Sequence, residues 1–248
     1  MKDLLVITPS RGRPQRLQEM LDACLALSKA DTDIVVGCDD DDLNSYRELV
    51  ARNPGHGRVR WFVGPRTGWA EWTNRLAAHY TRAVPDVDGN LPRYRAFASL
   101  GDDHIPRTEG WDEVLLEGID RMGGIGIAYG NDLFMGPNLP TAAVISADIV
   151  SALGWICEPS LHHMYADNVW ADIGRAAGCL AYVPDVVIEH VHFRAGKTPV
   201  DQVYATAESW TEPDKAAYLR WREQRMERDV MRVRLRKAMR GLQGARRG

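Results

Sequence analysis

The sequence has no hydrophobic run approaching the roughly 20 residues that a membrane-crossing helix needs; its apolar stretches are short and interrupted by polar residues. Cysteine is scarce. Cys24, Cys38, Cys157 and Cys179 show no CxxC pairing, which argues against a zinc site or a disulfide framework and for reduced thiols, two of them plain core candidates. Internal repeats and low-complexity linkers are absent too, so the pattern reads as one continuous domain. The opening MKDLLVITPS runs straight into a strand-like segment without a secretory cleavage pattern, and the expected compartment is the cytoplasm.

What is present is an ordinary globular composition, 45% apolar and 26% charged over 248 residues, enough for one large α/β domain or two small ones. The net charge of −3 conceals an asymmetry. From Asp214 to Gly248 twelve Lys/Arg stand against four Asp/Glu, a local +8 that leaves −11 on residues 1–213. An acidic body lacks the basic footprint of a nucleic-acid binder, so no nucleic-acid partner is expected. Its carboxylates can instead gather around a metal.

Hydrophobic periodicity alternates between strand and helix. LLVIT at 4–8 leads through Pro9-Ser10-Arg11-Gly12-Arg13-Pro14 to Leu17, Met20, Leu21, Cys24 and Leu27 at helical spacing. A second strand, 34–38, stops at four consecutive Asp, 39–42, before a short helix through Tyr46 and Leu49. Val59–Val63 is a third strand, and Gly64-Pro65-Arg66-Thr67-Gly68 turns into a helix carrying Trp69, Trp72, Leu76, Ala77 and Tyr80. After a polar loop at 84–93, a fourth strand, 96–100, runs into Gly101-Asp102-Asp103-His104-Ile105-Pro106. Later elements are less regular: helices at 110–120, 147–153 and 166–177, with strands at 125–129, 141–145, 180–183 and 186–192. Such alternation marks a mainly parallel, Rossmann-like sheet covered on both faces, whose ligands bind beyond the carboxyl ends of its strands.

Asp39–Asp42, Asp102, Asp103, His104, Asp167, His190 and His192 all fall at strand ends or in the loops beyond them. Carboxylates with imidazoles suit Mn²⁺ or Mg²⁺, and an ion with few protein ligands completes its shell with phosphate oxygens. The implied ligand is a diphosphate.

On these residues the chain resembles the GT-A glycosyltransferases of the broad family-2 type over roughly residues 3–195. The resemblance implies a GT-A mixed sheet flanked by helices, a nucleoside-diphosphate sugar as donor and an acceptor hydroxyl that the sequence does not name. ITPSRGRP is similar to the family's first nucleotide-contacting loop, implying roles for Thr8, Pro9 and Arg11. Asp39 matches the acid that bonds the base, and GPRTGWAEWTN matches a glycine-containing loop and helix, with Arg66, Gly68 and Asn74 near the nucleotide. LGDDHIP resembles the metal-binding DXD segment, although Gly101 stands where a strict motif has its first Asp. Asp103 as metal ligand with Asp102 at the ribose or metal is the favoured register; a D-x-H reading would use His104. YADNVW resembles the acidic motif whose Asp is the general base in inverting members, here Asp167. In VIEHVHF, His190 and His192 share one strand face by period-2 alternation, and either matches the family's last metal ligand.

Plainer readings stand beside these. Asp41 and Asp42 suit a turn and helix cap, Trp69 and Trp72 are core residues first, and Trp111 is the better acceptor-side aromatic. His162 and His163 stay unassigned. In the tail, Thr211 with Asp214 reads as a capping box opening a helix through about Met239, with Leu219, Met226, Val230 and Val233 as a narrow apolar stripe among arginines. The organisation expected is a catalytic domain at 1–210 and a basic helical extension at 211–248. That extension is expected to pack on the acidic body or on a second subunit as a homo-dimer; contact with an anionic membrane, and contact of this tail with nucleic acid or another acidic partner, are the less favoured alternatives. A sugar nucleotidyltransferase and a non-catalytic nucleotide-binding scaffold remain the rival functions.

Overall fold

The computed structural model describes residues 2–53, 57–81 and 94–245, with side chains through 242; the polar loop read at 84–93 lies outside the described residues. The first half repeats strand and helix as the periodicity expects: β1 (Lys2–Ser10), α1 (Pro14–Leu27), β2 (Thr32–Asp39), a 3₁₀ turn (Asp40–Tyr46) merging into α2 (Arg47–Arg52), β3 (Val59–Gly64), α3 (Trp69–Thr81) and β4 (Tyr94–Ser99). The second half adds β5 (His104–Pro106), α4 (Trp111–Arg121), β6 (Ile127–Asn131), β7 (Ala143–Ser146), α5 (Ala147–Leu153), α6 (Ala166–Ala176) and β8 (Leu180–His190). Three helices follow: α7 (Gln202–Ser209), α8 (Thr211–Gln224) and α9 (Met226–Ala245).

The strands form one mixed sheet in the order β3-β2-β1-β4-β7-β6-β8-β5. Strands β1 to β4 pair in parallel, β7 runs against both β4 and β6, and β6 with β8 is parallel again. The carboxyl ends of β1, β2, β4, β6 and β8 therefore meet at one edge, where the acids of the sequence lie. Side-chain alternation divides the core between the two faces. Leu4 and Val6 pack with Leu17, Met20 and Leu115, whereas Leu5 and Ile7 pack with Leu76, Ile149 and Trp170. All four cysteines are buried and free.

Several expectations are corrected. The strands read at 180–183 and 186–192 are one bent strand, β8, whose register against β6 shifts between Gly130 and Asn131. A Cβ at Gly130 would lie 2.3 Å from the Val186 carbonyl oxygen, so only glycine admits this crossing. Residues 104–106, read as loop, form β5 and pair His104 opposite His190. Trp111 is fully buried, which removes it from any acceptor surface; Gly110, with φ +71°, turns the chain so that Trp111 enters the core at the start of α4.

The tail departs from its expected single helix by breaking at Arg225. Trp210, already helical, precedes Thr211, whose hydroxyl has no partner, so there is no capping box. Leu219 is exposed, and Trp221 takes its place in the core with Val230 and Val233. Charge attraction to the chain's own body is visible: Arg236 donates to Asp148 at 2.7 Å, Arg240 reaches the same carboxylate, and Lys237 donates to the Gly178 carbonyl at 2.7 Å. Among the described residues no helix is long and apolar enough to cross a membrane.

Candidate active site

The first wall of the site is the loop after β1. Thr8 and Pro9 are buried inside the strand, in register with Val36 and Gly37. Arg11 is half-buried and forks between two acids, donating to Asp39 at 2.8 Å and to Asp41 at 3.0 Å. The other Asp39 oxygen accepts from the Trp72 indole at 2.7 Å. Trp72 is thus both core and site, as its periodicity alone did not show. Asp41 and Asp42 cap no helix; Asp42 instead accepts from the Gly12 amide at 2.6 Å and helps hold the loop. Arg66 and Gly68 lie exposed in the turn before α3. Asn74 is committed elsewhere, accepting from the Ile156 and Cys157 amides at 2.9 Å each and donating to the Cys157 carbonyl at 2.8 Å.

The centre is the loop after β4. A Cβ at Gly101 would sit 2.7 Å from the Asp103 carboxylate and 3.0 Å from the His104 ring, so a larger residue at 101 would have to displace these side chains. Asp102 and Asp103 are both buried. Asp102 accepts from Ser10 at 2.6 Å and from Arg13 at 3.2 Å, and burial together with the negative charge of Asp103 pushes its carboxyl up. Asp103 faces the opposite balance. Burial would raise it, but His104 and His190 outweigh that and hold it well below the usual carboxylate range.

Strand pairing brings the imidazoles to Asp103. His104 and His190 stack with centroids 4.1 Å apart, and His190 Nε2 lies 3.6 Å from Asp103. Asp103, His104 and His190 together present ligand atoms within 4.8 Å of one another. His104 Nδ1 faces both the Gly101 amide at 3.0 Å and the Asp103 carboxylate at 3.3 Å, and its buried Nε2 has no hydrogen-bond partner. His190 keeps a buried ring nitrogen, Nδ1, that has no hydrogen-bond partner. Burial and His104 lower its pKa, favouring the neutral ligating form. His192 stands outside this cluster, its Nδ1 accepting from the Arg194 amide. A carboxylate and a neutral imidazole at one strand edge fit a divalent ion that leaves positions open to other ligands.

Asp167 lies half-buried in the first turn of α6, where its carboxylate accepts from the Asn168 amide at 2.8 Å. Burial raises its pKa to about 6. The preceding Tyr165 holds φ +68°, a strained left-handed conformation for a residue with a side chain.

Four residues escaped the sequence reading. Arg13 is buried, donates twice to Asp201 at 2.7 Å, and stacks 3.9 Å over the Tyr204 ring while facing Asp102 and Asp103. Tyr204 donates to Asp103 at 2.8 Å. Asp132, buried after β6, accepts from the amides of Phe134, Met135 and Gly136 and from Thr141. The rule that acids follow strands would have found Asp132; no local signal marks Asp201 or Tyr204.

No protein-family model matches the sequence, and no curated protein does. Solved structures do. S. aureus TarS 1-349, also seen in complex with UDP, superposes with a TM-score of 0.56 at 10% identity, covering 75% of this chain. The chain spans 60% of that structure. The mannosyltransferase PcManGT from Pyrobaculum calidifontis, in complex with GDP-Man and Mn2+, gives 0.52 at 12% identity over 98% of this chain and 77% of its own. The fold is therefore of the GT-A glycosyltransferase kind.

Proposed function

We propose that the chain is a glycosyltransferase that moves a sugar from a nucleoside-diphosphate sugar to an acceptor hydroxyl, with residues 1–210 as the catalytic domain and 211–248 as a basic helical extension. The observation that carries this reading is the convergence of Asp103 and His190 beside Asp102 at the strand edge where Asp39 and Asp167 also lie. Asp103 and His190 would hold Mn²⁺ or Mg²⁺. The ion, when bound, supplies Lewis-acid stabilisation of charge on the leaving diphosphate.

The chain's own residues do the rest. Asp39, held by Trp72, and the Arg11 loop receive the nucleotide. Asp102, tied to Ser10 and Arg13, faces the ribose or the ion. Asp167 takes the proton from the acceptor hydroxyl if the reaction inverts the anomeric centre; its elevated pKa brings it nearer the working pH of a general base. A cytoplasmic site of action belongs to the same proposal.

The test is a thermal-shift series with UDP and GDP, each with and without Mn²⁺, followed by nucleoside-diphosphate release from UDP- and GDP-sugars. Stabilisation by one nucleotide that grows with Mn²⁺, together with release, supports the transferase. Stabilisation without release would point to the binding scaffold, and no stabilisation by either would sink the reading. Formation of a sugar nucleotide from a sugar phosphate and a nucleoside triphosphate would instead identify a nucleotidyltransferase.

A further inference from the structure

The buried carboxylate of Asp214, in α8, lies far along the chain from Asp167 yet ends in the loop that leads to it. One oxygen accepts from the His162 amide at 3.0 Å and faces His162 Nδ1 at 3.0 Å; the other accepts from the amides of His163 at 2.8 Å and Met164 at 2.7 Å. The side chain of Asp214 has no exposed surface. Three consecutive amides aimed at one charged acceptor hold a backbone more rigidly than ordinary loop contacts do. The next residue, Tyr165, carries the left-handed turn, and Ala166-Asp167 open α6 directly after it.

Other groups of the same helical segment brace the same stretch. The Trp210 indole stacks on His162 at 3.8 Å, Tyr218 stacks on Tyr165 at 5.3 Å and donates to Asp172 at 2.7 Å, and Arg225 pairs with buried Glu158 at 2.9 Å. These contacts span 158–172, the segment that contains Asp167. A clamp whose only purpose was to attach the tail would have no need to concentrate on this loop, since α9 already attaches through Val230, Val233 and Asp148.

We propose that Asp214 is a positioning residue: from α8 it holds the amides of 162–164 and thereby aims Asp167 at the acceptor. This rests on the reading of Asp167 as the base. It makes the C-terminal helical segment part of the active site and not an appendage to it.

The test uses the full chain. Asp214→Asn replaces one accepting oxygen by an NH₂ group that faces backbone donors, so hydrogen exchange at the amides of 162–164 and 166–168 should accelerate. Release of nucleoside diphosphate from the donor sugar that wild type accepts should fall in kcat by about 10- to 100-fold, the scale of an ångström-sized misplacement. Donor KM and the affinity for UDP or GDP with Mn²⁺ should stay within about twofold. Val233→Ala, a buried variant in α9 next to Arg234, which bonds the Ala176 carbonyl at the end of α6 away from Asp167, is the control for lost stability and should keep its kcat. If Asp214→Asn fails to fold, Arg225→Gln is measured in the same way and should show a smaller loss with the same split. Unchanged kcat in the folded variant, an equal loss in Val233→Ala, or a donor KM that changes with kcat would overturn the role. A wild type with no turnover sinks the transferase reading alone. Faster exchange at 166–168 then still supports positioning, and unchanged exchange rejects it.

Discussion

The indole of Trp72 donates to Asp39 at 2.7 Å, so a residue that fills the core also orients an acid at the edge of the sheet. The arrangement depends on a glycine. A Cβ at Gly37, two residues before Asp39, would lie 3.0 Å from the Trp72 ring. Sheet, core and site are thus coupled over a few ångströms, and this coupling is open to test.

Trp72→Phe keeps an aromatic core but removes the donor. A lost hydrogen bond to a buried charged group costs about 1.5–3 kcal/mol, so a melting temperature several degrees lower is expected together with weaker UDP or GDP binding by calorimetry. Unchanged nucleotide affinity would separate Asp39 from the nucleotide.

Asp103→Ala should remove the Mn²⁺-dependent increment of nucleotide binding and abolish transfer without unfolding the chain. Asp102 loses a repelling neighbour, Arg13 keeps Asp102 and Asp201, and Tyr204 keeps the Val191 carbonyl at 3.1 Å. Wild-type turnover at fixed free Mn²⁺ would remove Asp103 from the metal site.

Asp167→Asn should lower turnover by several orders of magnitude while leaving donor affinity nearly unchanged. In wild type, activity should rise with pH through about 6, the value to which burial lifts this carboxyl, and the variant should lose that limb. The stability sign follows from the same shift. A folded-state pKa raised above the ordinary aspartate value to about 6 means that the folded chain holds the proton more tightly, so stability is lost as pH rises from about 4 to about 6. Melting curves at pH 4 and pH 8 should show Asp167→Asn gaining relative to wild type only at the higher pH. An equal difference at both would contradict the assigned environment.

Truncation after Thr211 removes Trp221 and Val233, both fully buried, along with Asp214. Loss of the core tryptophan side chain alone costs about 3–5 kcal/mol, so a large fall in melting temperature is expected. Mass by light scattering will show whether a homo-dimer, if wild type forms one, depends on the same segment. An unchanged melting temperature would mean that the helices do not pack on the body as described.

The alternation of strand and helix through Tyr80 was legible because period 2 and period 3.6 are local properties of side-chain direction, and the acids that end β2 and β4 follow from the same local reading. Asp167 stood out only through the resemblance of YADNVW to the family's acidic motif. Tertiary structure decided the rest. Period-2 alternation puts His190 and His192 on one face and cannot choose between them; the pairing of β5 with β8 sets His190 opposite His104 and beside Asp103. Gly101 looked like a defect in a motif until its neighbours showed that a Cβ there would displace the Asp103 and His104 side chains. Arg13 with Asp201, Tyr204 with Asp103, and Asp214 with the loop before Asp167 join residues 50 to 188 positions apart. No spacing rule reaches that far, because such contacts exist only once the helices after β8 have folded back across the sheet edge, and buried charges there persist only where distant partners satisfy them.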